Sequence, residues 1–144
     1  MNVCEYKERL ISLAIEARKN AYAPYSGYCV GAALMCSDGS IYTGCNVENA
    51  SYGATNCAER TAVFKAVSEG HRSFMAIAIA GGKRTESMDE PTDLAYPCGV
   101  CRQVLREFCV PSEMTVIVCK SVSDYRETTL EELLPNSFGP DNLA

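Results

Sequence analysis

The chain is 144 residues long, 47% hydrophobic and 22% charged, with a net charge of −5 at pH 7. That is enough apolar chain for one domain with its own core, which excludes disorder as the dominant state. The acidic balance without a basic block argues against a nucleic-acid partner, and the most sheet-like apolar stretch, Phe74–Ala80, is far shorter than the roughly 20 residues that cross a membrane.

Val3–Asn20 is expected as a helix, because Tyr6, Leu10, Leu13, Ala14 and Ala17 recur at spacings of three and four. The opening residues Met1–Arg9 carry acidic side chains and no apolar run, so neither a secretory nor a transit peptide is expected, and the cytoplasm is the expected location. Pro24 and Gly27 break the helical pattern. Tyr28–Cys36 and Ile41–Val47 read as two strands joined by Ser37-Asp38-Gly39-Ser40, in which Asp-Gly signals a hairpin. A second helix is expected from Cys57 to about Glu69, stopped by Gly70.

Phe74–Ala80 reads as a strand buried on both faces, and polar Gly81–Tyr96 as a long loop without an assignable role. Cys98–Phe108 is expected as a helix entered from Pro97, Met114–Lys120 as a strand, and Thr129–Leu134 as a short helix stopped by Pro135. Acidic Glu127–Glu132 reads as the solvated start of that helix. The order implies an α/β domain spanning residues 1–144, with helices packed on a mixed sheet.

The nine cysteines are odd in number, so a fully paired disulfide framework is impossible. With no export signal expected, reduced thiols are expected, serving as small buried hydrophobes or metal ligands. Cys57-Ala58-Glu59 and Pro97-Cys98-Gly99-Val100-Cys101 each sit where a helix should begin. The unpaired N–H groups and positive dipole end at such positions favour thiolate over thiol. Two converging helix ends would present three thiolates to one cation. Three ligands suit a catalytic zinc, which keeps a fourth position for water. Glu59 would stand near the ion as a proton carrier. The spacing alone leaves two other readings open, a closed structural zinc site completed by Cys45 or His71 and a redox Cys-x-x-Cys pair.

The combination of cysteine ligands, a non-ligating Glu and Pro-Cys-x-x-Cys is that of zinc deaminases in general. The sequence resembles the small homotetrameric cytidine deaminases within that group. The resemblance rests on Pro24-Tyr25-Ser26, Val30-Gly31-Ala32-Ala33-Leu34, Gly44-Cys45-Asn46-Val47-Glu48-Asn49-Ala50, both cysteine segments, Glu132-Leu133-Leu134-Pro135 and Ser137-Phe138-Gly139-Pro140. These run from Pro24 to Pro140 and cover nearly the whole chain. The resemblance implies a three-layer α-β-α fold with a mixed, roughly five-stranded sheet. It also implies zinc held by Cys57, Cys98 and Cys101, about one ion per subunit.

The implied reaction is hydrolytic deamination of cytidine and deoxycytidine to the uridine products, a step of pyrimidine salvage. Glu59 would carry protons from water to N3 of the base and then to the leaving amino group. Asn46 and Glu48 match sugar-binding positions, and a carboxylate at Glu48 suits a nucleoside better than a nucleotide. The Ala58 N–H would serve the base carbonyl. Tyr52 would reach the 5′-hydroxyl, in a neighbouring subunit's site or its own, and Phe138 would cover the base of an adjacent subunit. Tyr28 stands where the family commonly has Phe. Arg60 is expected to tune the metal by drawing charge from the sulfurs. The competing readings are a deaminase of a modified cytosine nucleoside, of the blasticidin S type, and a non-catalytic zinc-stapled binding module.

The remaining residues read as ordinary. Cys4, Cys29, Cys36, Cys109 and Cys119 are expected as buried or half-buried thiols, and Cys45 as a packing residue. His71, the only histidine, reads as a surface residue after a helix end, and Tyr22 and Tyr25 as packing residues.

Overall fold

The apolar runs that read as strands form the centre of one sheet. A computed structural model describes residues 3–144, with side chains described from residue 5 onward, so the Cys4 side chain lies outside the described residues. The strands are β1 (Tyr28–Cys36), β2 (Ile41–Cys45), β3 (Phe74–Lys83), β4 (Thr115–Ser121) and β5 (Asp124–Thr129), in the order β2-β1-β3-β4-β5. Only β3 and β4 pair in parallel; the other neighbours are antiparallel. The helices are α1 (Val3–Arg18), α2 (Ala58–Ser68), α3 (Gly99–Arg106) and α4 (Leu130–Leu133).

Strand periodicity sorts side chains into two cores. Ala33, Met35, Ala76, Ala78, Ala80, Ile117 and Cys119 face α1, which contributes Leu10, Ile11 and Ala14. The intervening residues Ala32, Leu34, Ile77, Ile79, Val116 and Val118 face α2 and α3, with Ala62, Val63, Ala66 and Leu105. The result is the three-layer arrangement with a mixed five-stranded sheet. Leu10 is fully buried, so Leu10→Ala would cost about 2–5 kcal/mol. Gly44 brings α2 close to the sheet: a Cβ there would lie 2.5 Å from the Ala62 nitrogen.

Two features depart from the sequence reading, and a third was not anticipated by it. Glu127–Thr129 belongs to β5 rather than to a helix start, and α4 begins only at Leu130, where the Thr129 hydroxyl caps it by accepting the Glu132 N–H at 3.2 Å. β5 escaped notice because an edge strand with a polar outer face carries no apolar run, and charges there discourage edge-to-edge pairing. β3 continues through Lys83, so the loop begins later than Gly81. A Cβ at Gly81 would lie 2.5 Å from the Ala95 side chain, so the bare backbone lets the loop lie on the strand end.

The third is Arg18, which is fully buried at the end of α1. Its guanidinium donates to the carbonyls of Cys29 at 3.0 Å, Gly82 at 3.1 Å, Lys83 at 2.8 Å and Met88 at 3.5 Å. A buried cation is tolerated where carbonyls take its donors. Arg18 thereby ties α1 and β1 to the start of the 84–98 loop.

Candidate metal centre and active site

The two cysteine segments meet because α2 and α3 pack on the same face of the sheet. Cys57 is the N-cap of α2 and Cys98 the N-cap of α3, both with extended backbone and neither using its side chain as a cap. Their sulfurs are therefore available to face each other, 3.8 Å apart. Cys101, in the first turn of α3 and buried, completes a group whose sulfurs all lie within 4.8 Å of one another. No histidine or further cysteine joins this group among the described residues. Cys45 packs instead beside Ala21, Ala23, Cys29 and Met88, and His71 lies in a different cluster, so the fourth protein ligand of a closed site is not supplied by either.

Arg60, in the first turn of α2, donates from Nε to the Cys101 sulfur at 3.4 Å and from a terminal nitrogen to the Cys57 sulfur at 3.3 Å. A hydrogen bond from the Cys101 thiol is the largest influence holding the Cys57 sulfur down to about 5, with Arg60 and Cys98 acting in the same sense against burial. The same bond to Cys57, followed by burial, holds the Cys101 thiol up. With all three sulfurs deprotonated, as metal ligands must be, and one guanidinium beside them, two negative charges would remain in a confined space, which a divalent cation would cancel. The all-sulfur donor set and its spacing fit zinc.

Beside the sulfurs lies a cavity of about 430 Å³, lined among others by Tyr28, Asn46, Glu48, Ala58, Glu59 and Cys98. Glu59 is 4% exposed, and burial, the main cause, pushes its carboxyl up to about 7. Ala58 is buried at the first turn of α2. Asn46 is held at both ends of its amide: Oδ1 accepts the Val30 N–H at 2.9 Å and Nδ2 donates to the Tyr28 carbonyl at 2.8 Å. It therefore clamps β1 to the end of β2 as well as lining the cavity. Glu48 accepts the N–H groups of Tyr25 at 3.0 Å and Ser26 at 3.1 Å and a bond from the Ser26 hydroxyl. The Ser26 hydroxyl is the chief reason its carboxyl sits below the usual range. Burial, then the Asp93 carboxylate, pushes the Tyr28 phenol up to about 12.

Two expected substrate contacts stand outside this cavity within the single chain. Tyr52 is 74% exposed and, edge-on to Tyr25 at 5.8 Å, lines a neighbouring cleft that also contains Glu48. Phe138 is 59% exposed, its carbonyl accepting from Gln103 at 2.9 Å. Tyr22 and Tyr25 are likewise exposed, not packed in the core as their aromatic rings suggested: Tyr22 lies in an isolated bridge to Val47, and Tyr25 meets the exposed Tyr52 ring edge-on. Conversely, Ser26, Leu94, Ala95 and Tyr96 line the cavity although sequence reasoning gave them no role. The signal for Tyr96 was its position immediately before Pro97-Cys98. Cys29, Cys36 and Cys119 are buried and Cys109 half-buried, as expected.

Residues 4–118 match the family model described as the cytidine and deoxycytidylate deaminase zinc-binding region. A cytidine deaminase of Sporosarcina psychrophila is 49% identical over 137 residues, covering 95% of this chain and 94% of the relative. The crystal structure of cytidine deaminase from Burkholderia pseudomallei superposes with a TM-score of 0.78 at 47% identity, covering 90% of this chain and 97% of that one. The cytidine deaminase structure from Mycobacterium tuberculosis gives a TM-score of 0.74 at 40% identity over 91% of this chain and 95% of that one. On these likenesses, with the sulfur trio, the buried Glu59 and the cavity beside them, the chain belongs to the cytidine and deoxycytidylate deaminase family.

Proposed function

We propose that the protein deaminates cytidine and deoxycytidine hydrolytically, giving uridine or deoxyuridine and ammonia. The observation that carries this reading is the buried carboxyl of Glu59 next to three mutually close cysteine sulfurs at one wall of the cavity. Cys57, Cys98 and Cys101 would hold zinc, one ion per subunit. When bound, zinc acts as a Lewis acid that makes a water molecule a competent nucleophile near neutral pH.

Glu59 has the properties of a shuttle for the proton transfers. Its raised carboxyl pKa, about 7, lets it take a proton from the attacking water and return it near neutral pH. It delivers that proton to N3 as the nucleophile adds at C4, then carries the remaining proton of the added hydroxyl to the exocyclic amine, so that the C4 carbonyl forms as the C4–N bond breaks and ammonia departs. The Ala58 N–H, at the positive end of α2, is suited to the O2 carbonyl of the base. Glu48 accepts from the 3′-hydroxyl while Ser26 and Tyr25 hold it ionised, and its charge disfavours a nucleotide phosphate. Asn46 contributes its remaining amide hydrogen to the sugar, and Tyr28 packs beside the base.

The exposure of Tyr52 and Phe138 supports a tetramer in which each reaches a neighbouring site, so that assembly completes the cavity. No helix among the described residues is long and apolar enough to cross a membrane; a cytoplasmic role in pyrimidine salvage accords with that. The deciding experiment follows the ultraviolet spectrum of cytidine and released ammonia before and after zinc chelation, with assembly mass measured on the same sample. Zinc-dependent conversion by a tetramer is expected. Bound zinc without conversion of either nucleoside would overturn the reading.

A further inference from the structure

The opposite end of α2 carries a second set of soft and borderline donors. Cys36, Asp38 and His71 place a sulfur, a carboxylate oxygen and an imidazole nitrogen within 4.8 Å of one another. They come from three separate elements: the end of β1, the β1–β2 turn and the segment following α2. We propose that these three side chains form a second transition-metal site, of the zinc class, outside the catalytic cavity.

Several features pre-position the donors. Asp38 uses Oδ1 to accept the Ser40 N–H at 3.0 Å, which leaves Oδ2 directed at His71 Nδ1, 3.4 Å away. That spacing is close to the separation of two ligands at neighbouring corners of a tetrahedral ion held at about 2.0–2.1 Å. The backbone N–H of His71 is bonded to the Ala66 carbonyl at 3.0 Å, which anchors its main chain, and its ring lies against Tyr42 with centroids 5.3 Å apart. Ser37 and Ser73 join the turn to the post-helix segment twice, through the Ser37 N–H to the Ser73 carbonyl at 2.8 Å and through their hydroxyls at 2.6 Å.

The electrostatics suit a cation. The cluster lies just beyond the C-terminal end of α2, the negative end of the helix dipole. The Cys36 thiolate and the Asp38 carboxylate together offset a divalent charge, so binding requires the Cys36 thiol to lose its proton to solvent. Cys36 is 1% exposed, whereas Asp38 and His71 retain side-chain exposures of 57% and 26%, which gives an ion a path in and a solvent-facing fourth position. A mixed sulfur, nitrogen and oxygen set favours zinc or cobalt over magnesium or calcium.

The test uses untagged full-length protein loaded with Zn²⁺, equilibrated with a chelator of micromolar affinity, and assayed for retained zinc by mass spectrometry of the metal. Wild type is expected to keep one more ion per chain than His71→Gln, with Asp38→Asn giving the same loss. Equal retention by wild type and His71→Gln would overturn the proposal. A wild type holding a single ion that His71→Gln loses would keep this proposal and defeat the assignment of zinc to Cys57, Cys98 and Cys101. Should a variant fold poorly, Co²⁺ titration of wild type decides: a second tight equivalent adding sulfur-to-metal absorption about one-third that of the first is expected for one thiolate against three, and absorption ending at the first equivalent overturns it.

Discussion

The two ends of α2 do opposite electrostatic work. At the N-terminal end, Cys57 meets Cys98 and Cys101 where two helices begin, and Arg60 donates to two of the three sulfurs. At the C-terminal end, His71 meets Cys36 and Asp38 where the helix carbonyls end. Helix N-termini stabilise anionic ligands, and helix C-termini stabilise the cation itself. The difference teaches that an electron-rich trio of sulfurs needs outside positive charge, whereas a mixed trio does not. Glu59 also lies at the first end, buried beside the sulfurs, and burial pushes its carboxyl up to about 7.

That contrast can be broken most severely by Cys98→Ser, which removes a sulfur reaching from α3. It is expected to lose zinc from the N-terminal end and abolish ammonia release, both read on one purified sample. Glu59→Gln should keep its zinc yet lose about 10²–10⁴-fold in kcat; full turnover in that variant would refute its shuttle role. Arg60→Gln should weaken zinc binding about 10–100-fold in chelator competition, with a parallel fall in turnover. Unchanged values would show that the helix ends alone neutralise the sulfurs. The smallest effect sharpens the contrast: His71→Gln should leave cytidine deamination within about twofold of wild type, because distant sites without shared partners act independently.

Much of the site was legible because its chemistry is local. Cys-Ala-Glu and Pro-Cys-x-x-Cys each announce a helix start with sulfur attached, and Arg60 follows directly in the first turn of α2. The resemblance added Asn46 and Glu48, and the fold brings both to the cavity wall. What stayed hidden depends on distant partners. Arg18 looks like an ordinary helix-end cation until Gly82, Lys83 and Met88 close over it. The 84–98 loop showed no pattern, yet Leu94, Ala95 and Tyr96 form a cavity wall. His71 read as a plain surface residue because Cys36 and Asp38 are more than thirty positions away in sequence.

Hydrophobic period and Gly and Pro punctuation were sufficient for the central strands and the long helices, and the cysteine spacing for the expectation of sulfur at two helix starts, since each depends on residues within one or two turns of chain. Tertiary packing alone settled the polar edge strand β5, the burial of Arg18 and the meeting of Cys36, Asp38 and His71. Those outcomes depend on hydrogen bonds and charges satisfied by groups far along the chain, and such pairings leave no periodic trace in the order of residues.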